Sequence, residues 1–187
     1  MGLRVGENIS YYILTVFSLT FLVDVATESR SLALYALLIG AAVQFFAIPA
    51  FGRLSDRIGR RRVYAFGAFG LAAWGFVLFP LLASGDKVWI VFSLVIGLVL
   101  HGAMYGPQAA MITELFPTRI RYSGASIAYQ LTAIFGGSLA PIVALWLYGR
   151  YDSALPVALY VGTACAISGV SALLARETKG LELADIR

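Results

Sequence analysis

His101 is the single histidine of this 187-residue chain, and it stands in the middle of an uncharged run from Val88 to Thr113. Thirteen residues separate it from one end of that run and 12 from the other. Imidazole changes charge near neutral pH, so a histidine there is suited to accept a proton or to hydrogen-bond an anionic metabolite. A neutral ring satisfied by a neighbouring hydroxyl or carbonyl is the plainer reading of the same residue. Tyr105 and Gln108 follow at i+4 and i+7, which puts all three on one helical face. Tyr11, Thr15 and Ser18 make a second stripe, and Gln44 and Gln130 stand inside two further uncharged runs. His101, Tyr105, Gln108, Gln44, Thr15 and Gln130 are therefore the candidate substrate and proton residues. Interhelical hydrogen bonding explains the neutral members of the set equally well.

Other chemistries are poorly supplied. The lone Cys165 permits no intramolecular disulfide and no thiol metal cluster, so neither a metal nor a cofactor is expected. Gly102-x-x-x-Gly106 lacks the Lys-Ser/Thr ending of a nucleotide-binding loop and lies within an apolar run. Gly124-Ala125-Ser126 together with His101 superficially fits an intramembrane serine protease. Depth opposes that reading, because Ser126 is roughly 7 Å past Arg121 and His101 roughly 18 Å inside at about 1.5 Å per residue. A gap of roughly 11 Å exceeds hydrogen-bond reach of about 3 Å.

These residues are carried by segments of one kind. The chain is 60% hydrophobic and 13% charged, too few charges to clothe a soluble domain, which excludes soluble enzymes and nucleic-acid binders. Charge-poor segments at about 8–26, 31–52, 63–85, 88–113, 122–149 and 153–175 predict six spans, followed by a tail at 176–187. About 20 apolar residues cross a hydrocarbon core of about 30 Å. The first uncharged run, 8–23, has 16 residues and is marginal. Without strict alternation the segments are helices rather than barrel strands, giving an all-α membrane bundle in a single domain. Short connections make consecutive helices antiparallel neighbours. Alternating the faces assigns Arg4, Arg53, Arg57, Arg60, Arg61, Arg62, Arg119, Arg121, Arg176, Lys179 and Arg187 to one side. The other side receives only Arg30, Lys87 and Arg150, so both termini are expected in the cytoplasm. Pro49, Pro80, Pro107, Pro141 and the pair Gly136-Gly137 are expected weak points within the spans.

Between spans two and three runs Gly52-Arg53-Leu54-Ser55-Asp56-Arg57-Ile58-Gly59-Arg60-Arg61-Arg62. One carboxylate among five guanidinium groups can bridge to arginine and hold a conformation closed. Asp56, Arg57 and Arg61 are expected to form a cytoplasmic gate with Glu114, Arg121 and Glu177, and Gly52, Gly59 and Arg60 shape the same loop. A topology anchor is the plainer reading of those arginines.

That loop resembles the signature between the second and third helices of each half of the major facilitator superfamily. Glu114-Leu115-Phe116-Pro117-Thr118-Arg119-Ile120-Arg121 and Arg176-Glu177-Thr178-Lys179-Gly180 resemble the stretches after the fourth and sixth helices of its C-terminal half. Tyr105-Gly106-Pro107-Gln108, Tyr122-Ser123-Gly124-Ala125-Ser126 and Gly136-Gly137-Ser138-Leu139-Ala140-Pro141 are most similar to the metabolite:proton symporter branch. The resemblance implies secondary transport of a small organic metabolite by alternating access, with proton symport, in the bacterial inner (plasma) membrane. It also implies that spans one, two, four and five line a central cavity and that spans three and six are peripheral. Members of the superfamily have twelve helices, so a second six-helix half or a second copy is the expected partner, beside the metabolite, the proton and the lipid bilayer. A truncated or half-transporter product, inactive alone or serving as a non-transporting membrane partner, is the alternative.

Overall fold

The computed structural model describes residues 2–117 and 119–175. The expected gate member Glu177 lies outside the described residues, as do Arg176, Lys179 and Arg187. Among the described residues six helices are long and apolar enough to cross a membrane: α1 Gly2–Val25, α2 Arg30–Ile58, α3 Arg60–Leu82, α4 Lys87–Glu114, α5 Arg121–Tyr151 and α6 Leu155–Leu174. No strand occurs among the described residues.

Local chemistry sets the ends. Ser29 caps α2 by accepting a bond from the Leu32 amide at 3.2 Å, and Asp86 caps α4 by accepting from Val88 at 2.8 Å. Gly59 separates α2 from α3 at φ 108°, a conformation that disfavours residues bearing a Cβ. α1 starts at Gly2, six residues before the expected boundary at 8. The charge of Glu7 ended the uncharged run there, but its side chain turns inward and the helix runs through it. Two wide π turns interrupt α1 at Ile13–Phe17 and Phe21–Val25, and a third, Ala133–Ser138, breaks α5 at Gly136-Gly137. The first is stabilised by Ser18, whose hydroxyl donates to the Ile13 carbonyl five residues back at 3.0 Å.

Packing follows small residues rather than chain order. α4 lies along both α2 and α3, α6 lies along α3 and α1, and α5 rests mainly against α1. A Cβ at Gly106 would stand 2.7 Å from the Ile48 carbonyl oxygen, one at Gly67 2.7 Å from that of Leu100, and one at Gly6 2.5 Å from that of Ala164. These contacts hold α4 on α2, α3 on α4 and α1 on α6 at backbone separation, where membrane helices gain most from dispersion. At the last of them Ser168 accepts from the Gly6 amide at 2.8 Å and donates to the Gly2 carbonyl at 2.6 Å. The span with little polar character, α3, is thus well packed, with 44% of its most apolar window buried. The open helix is α2, at 22%, with Phe45 and Phe46 72% and 71% exposed.

Gly106→Ala should separate α2 from α4 and lower stability by about 1–3 kcal/mol, read as a fall in the thermal unfolding midpoint in detergent. Gly149→Ala, where nothing lies within 4 Å of the new Cβ, should leave the midpoint unchanged.

Candidate functional site

α1, α2 and α4 meet around a buried polar cluster. His101 comes from the middle of α4 and is almost wholly enclosed. Its Nδ1 lies 2.7 Å from Gln44 Nε2 on α2, and its Nε2 lies 3.2 Å from Glu7 Oε1 on α1. The amide of Gln44 is a donor, so Nδ1 accepts, and the ring proton sits on Nε2 and points at the carboxylate. Gln108, two turns along α4, donates from Nε2 to the second carboxylate oxygen of Glu7 at 3.2 Å. Glu7 is 4% exposed and has both oxygens engaged from α4. The Tyr11 ring lies 5.2 Å from the imidazole, and Tyr105 stacks over it at 6.0 Å.

A cavity of about 390 Å³ opens beside this cluster, lined by Arg4, Glu7, Asn8, Tyr11, Tyr12, Gln44, Ile48, His101 and Tyr105. Its volume falls in the range of small-molecule sites, about 300–1,000 Å³. Of the six candidate residues, His101, Tyr105 and Gln44 line it, and Gln108 lies behind Glu7. Thr15 and Gln130 are elsewhere. The π turn at Ile13–Phe17 breaks the 3.6-residue phase on which the stripe from Tyr11 to Ser18 depends, and Thr15 instead donates to the Tyr11 carbonyl at 2.7 Å. Gln130 is exposed and lines a separate hollow with Thr113, Arg121, Ser126 and Tyr129. The α5 residue that reaches the cluster's side of the bundle is its neighbour Tyr129, whose ring carries the Arg4 guanidinium at 3.8 Å.

Arg4, Glu7 and Asn8 line the cavity and are absent from the candidates that the sequence offers. Arg4 was assigned to the membrane surface and Glu7 lay just outside the first uncharged run. A signal was present, since stepping back from Ser18, Thr15 and Tyr11 by the same three- and four-residue intervals reaches Glu7 and then Arg4. The protease arrangement is absent: both ring nitrogens of His101 are engaged by Gln44 and Glu7, and Ser126 belongs to the other hollow.

At the opposite end of α2 the charged loop is organised by Arg60 rather than by Arg61. Arg60 pairs with Asp56 at 3.5 Å across the Gly59 break and with Glu114 at the end of α4. Asp56 is 64% exposed, whereas Glu114 is buried. Arg61 turns away to donate to the carbonyls of Ala172, at 3.2 Å, and Leu173 at the end of α6. Arg121 donates from Nε to the Thr113 and Phe116 carbonyls at 3.1 and 3.2 Å, and Arg57 occupies the last turn of α2. Guanidinium groups at helix C-termini satisfy orphan carbonyls and oppose the negative end of the helix dipole. Gly52 lies against α4, where its Cβ would be 3.8 Å from the Gly106 carbonyl oxygen.

The comparisons with known proteins agree with this architecture. The Inner membrane metabolite transport protein YhjE of Escherichia coli is 34% identical over 90% of this chain and 39% of its own length. The Shikimate transporter of the same organism is 34% identical over 96% of this chain and 41% of its own length. The Proline/betaine transporter of Salmonella typhimurium is 28% identical over 95% of this chain and 35% of its own. This chain thus spans about two fifths of the length of the curated relatives it matches. No solved structure matches it. The family model described as Major Facilitator Superfamily covers residues 5–184, from the α1 turn that carries Glu7 to beyond the end of α6, and this six-helix membrane protein belongs to that family of transporters.

Proposed function

We propose that the chain is a six-helix half of a proton-coupled transporter for a small organic metabolite, working by alternating access in a bacterial inner membrane with both termini cytoplasmic. The observation that carries the reading is the Glu7–His101 pair, buried beside a metabolite-sized cavity and tied by Gln44 to the most open helix. Intramembrane ionisable groups are costly and concentrate on ion and proton routes. The relatives' names, for metabolite, shikimate and proline/betaine transport, point to the same class of cargo.

The hydrogen bonds suggest how a proton is sensed. With Glu7 ionised, the Gln44 amide donates to Nδ1 and Nε2–H donates to Glu7. A proton added to the imidazole, or to Oε1 with the ring tautomer reversed, puts a hydrogen on Nδ1. Gln44 must then turn its carbonyl oxygen inward. A proton added to Oε2 makes the same demand on Gln108, whose Oε1 has no partner among the described residues. Proton uptake therefore rearranges an amide at a helix contact, and by the Gln44 route the change reaches α2. A second six-helix unit, on the same polypeptide or another, covers the open face of α2 and completes the cavity. Alternating access is one unit rocking against the other. The Arg60 network closes the cytoplasmic side in one state.

Uptake into vesicles of a panel of organic acids and betaines should require a proton gradient. His101→Gln and Glu7→Gln should abolish gradient dependence while leaving exchange of the same solute. Gradient-independent uptake by the unaltered protein would refute proton coupling.

For the gate, the exposed Asp56 contact is worth about 0.2–1 kcal/mol, so Asp56→Asn should shift cytoplasmic accessibility of a cavity cysteine by no more than about fivefold. Arg60→Gln, which strands the buried Glu114, should shift it further. Equal effects of the two would remove Arg60 from the centre of the network. A cysteine at the exposed Phe45 should crosslink to a second six-helix unit in native membranes, and labelling of that cysteine only by lipid-soluble reagents would show α2 facing lipid.

A further inference from the structure

Three donor nitrogens beside the cavity have no acceptor. Arg4 Nε and Nη1 are buried and without a hydrogen-bond partner among the described residues, and so is Asn8 Nδ2. Both residues line the cavity, one helical turn apart on α1, and Asn8 is only 6% exposed. An arginine that serves as a surface anchor sends its guanidinium to water. Arg4 instead lays one face on the Tyr129 ring, and no carboxylate among the described residues lies within ion-pair distance of it. The nearby Glu7 is turned toward α4, where His101 and Gln108 bond its two oxygens, and makes no ion pair with Arg4. Native proteins rarely leave buried donors unanswered, since each costs about as much as a lost hydrogen bond.

We propose that Arg4 and Asn8 form a carboxylate-binding subsite that anchors the acid group of the transported metabolite. The inference rests on the transport reading above and adds the chemistry of the cargo and the residues that select it. A carboxylate offers two oxygens in the plane and spacing that a guanidinium fork receives, with lone pairs left for the Asn8 amide. A hydroxyl or an amide offers one acceptor and no charge, and leaves part of the set unanswered. Discrimination of this kind is steep, because a ligand lacking the acceptor leaves desolvated donors behind. The subsite is also adjacent to the proton pair on the same helix, at i−3 and i+1 from Glu7. A bound carboxylate brings a second negative charge beside Glu7. Among the described residues, the charged or titratable groups facing the Glu7–His101 pair are Arg4, Tyr11 and Tyr12 from α1, Tyr64 from α3, Tyr105 from α4, Tyr129 from α5 and Cys165 from α6. Arg4 is the only cation in that set, so its loss should remove acid recognition rather than redistribute it.

The test is equilibrium binding to the purified full chain, with benzoate and shikimate each compared with its methyl ester, and with sulfate as a plain anion. At least one acid should bind, and its ester should bind at least about tenfold more weakly. Arg4→Gln should weaken the acid by about 10- to 100-fold, the range expected for losing a charge-assisted bond, and Arg4→Lys should recover part of it. Asn8→Asp places a carboxylate within the subsite itself, so it should abolish acid binding and raise the thermal unfolding midpoint. That variant and the acid–ester comparison decide the matter even if Arg4→Gln fails to fold. Esters or sulfate binding as well as acids, no acid binding, or a folded Arg4→Gln protein with undiminished acid affinity would overturn the subsite. Acid binding without uptake would sink the transport reading and leave the subsite standing. Uptake without preference for acids would do the reverse.

Discussion

A carboxylate inside a membrane bundle must be answered from the neighbouring helices, and the arrangement of this protein turns on how Glu7 is answered. Its two oxygens take bonds from His101 and Gln108, which stand two turns apart on α4, so α1 must pass α4 at a fixed height and rotation. Gln44 then fixes the rotation of α2 through the other ring nitrogen. Bonds of this length need helix axes close together, and that closeness comes from residues far from the cluster. Gly106 brings α2 onto α4, and Gly6 with Ser168 brings α1 onto α6. Insertion scales place an unanswered charge at the centre of a span about 2.5–3.5 kcal/mol above an apolar residue, so the polar cluster and the glycine contacts depend on each other.

The end of the bundle that carries the basic loop solves a related problem with opposite charges. Helix C-termini carry unsatisfied carbonyls and partial negative charge, and three of them meet there, from α2, α4 and α6. Arg61 and Arg121 answer carbonyls of α6 and α4, and Arg57 lies in the last turn of α2. Arg60 pairs with two carboxylates, and one of the two is buried. The basic loop therefore does two jobs that composition alone does not separate: Arg61 answers carbonyls at a helix end, and Arg60 joins carboxylates of α2 and α4.

Spans were legible because the rule behind them is one of length: roughly 20 apolar residues cross hydrocarbon, and charges interrupt the pattern at the ends. The same rule hid Glu7, since a charge that is paired inside the bundle reads as a boundary. His101, Tyr105 and Gln44 were legible because regular helical phase carried them to one place. Thr15 was not, because a π turn shifts the phase of α1 between Tyr11 and Ser18 and no residue type announces such a turn. Gln130 lies one position from Tyr129, the α5 residue that carries the Arg4 guanidinium, and lines a separate hollow. Adjacent arginines point about 100° apart, so packing decides that Arg60 rather than Arg61 meets Glu114, and the expected partner Glu177 lies outside the described residues. Periodicity locates faces, and rotation about the helix axis is settled by contacts.

The unequal burial of the helices bears on which of them can carry a signal. The α3, α4 and α6 windows are 44–50% buried, whereas α2 and α5 are 22% and 29% buried. Both keep much of their surface open, so α2 and α5 are the natural respondents to a change at the cavity. Both reach the polar cluster through side chains, α2 through Gln44 to His101 and α5 through Tyr129 to Arg4. On the proposed reading these two links report different things. The Gln44 amide follows the proton on the Glu7–His101 pair, and the Arg4 guanidinium follows the acid group of the cargo. The two reporters share α1, where Arg4 and Glu7 are three residues apart, so charge on one is felt at the other. Coupling of cargo to proton then needs no long pathway: it is electrostatic contact within one turn of helix, read out by the two helices that the fold leaves least restrained.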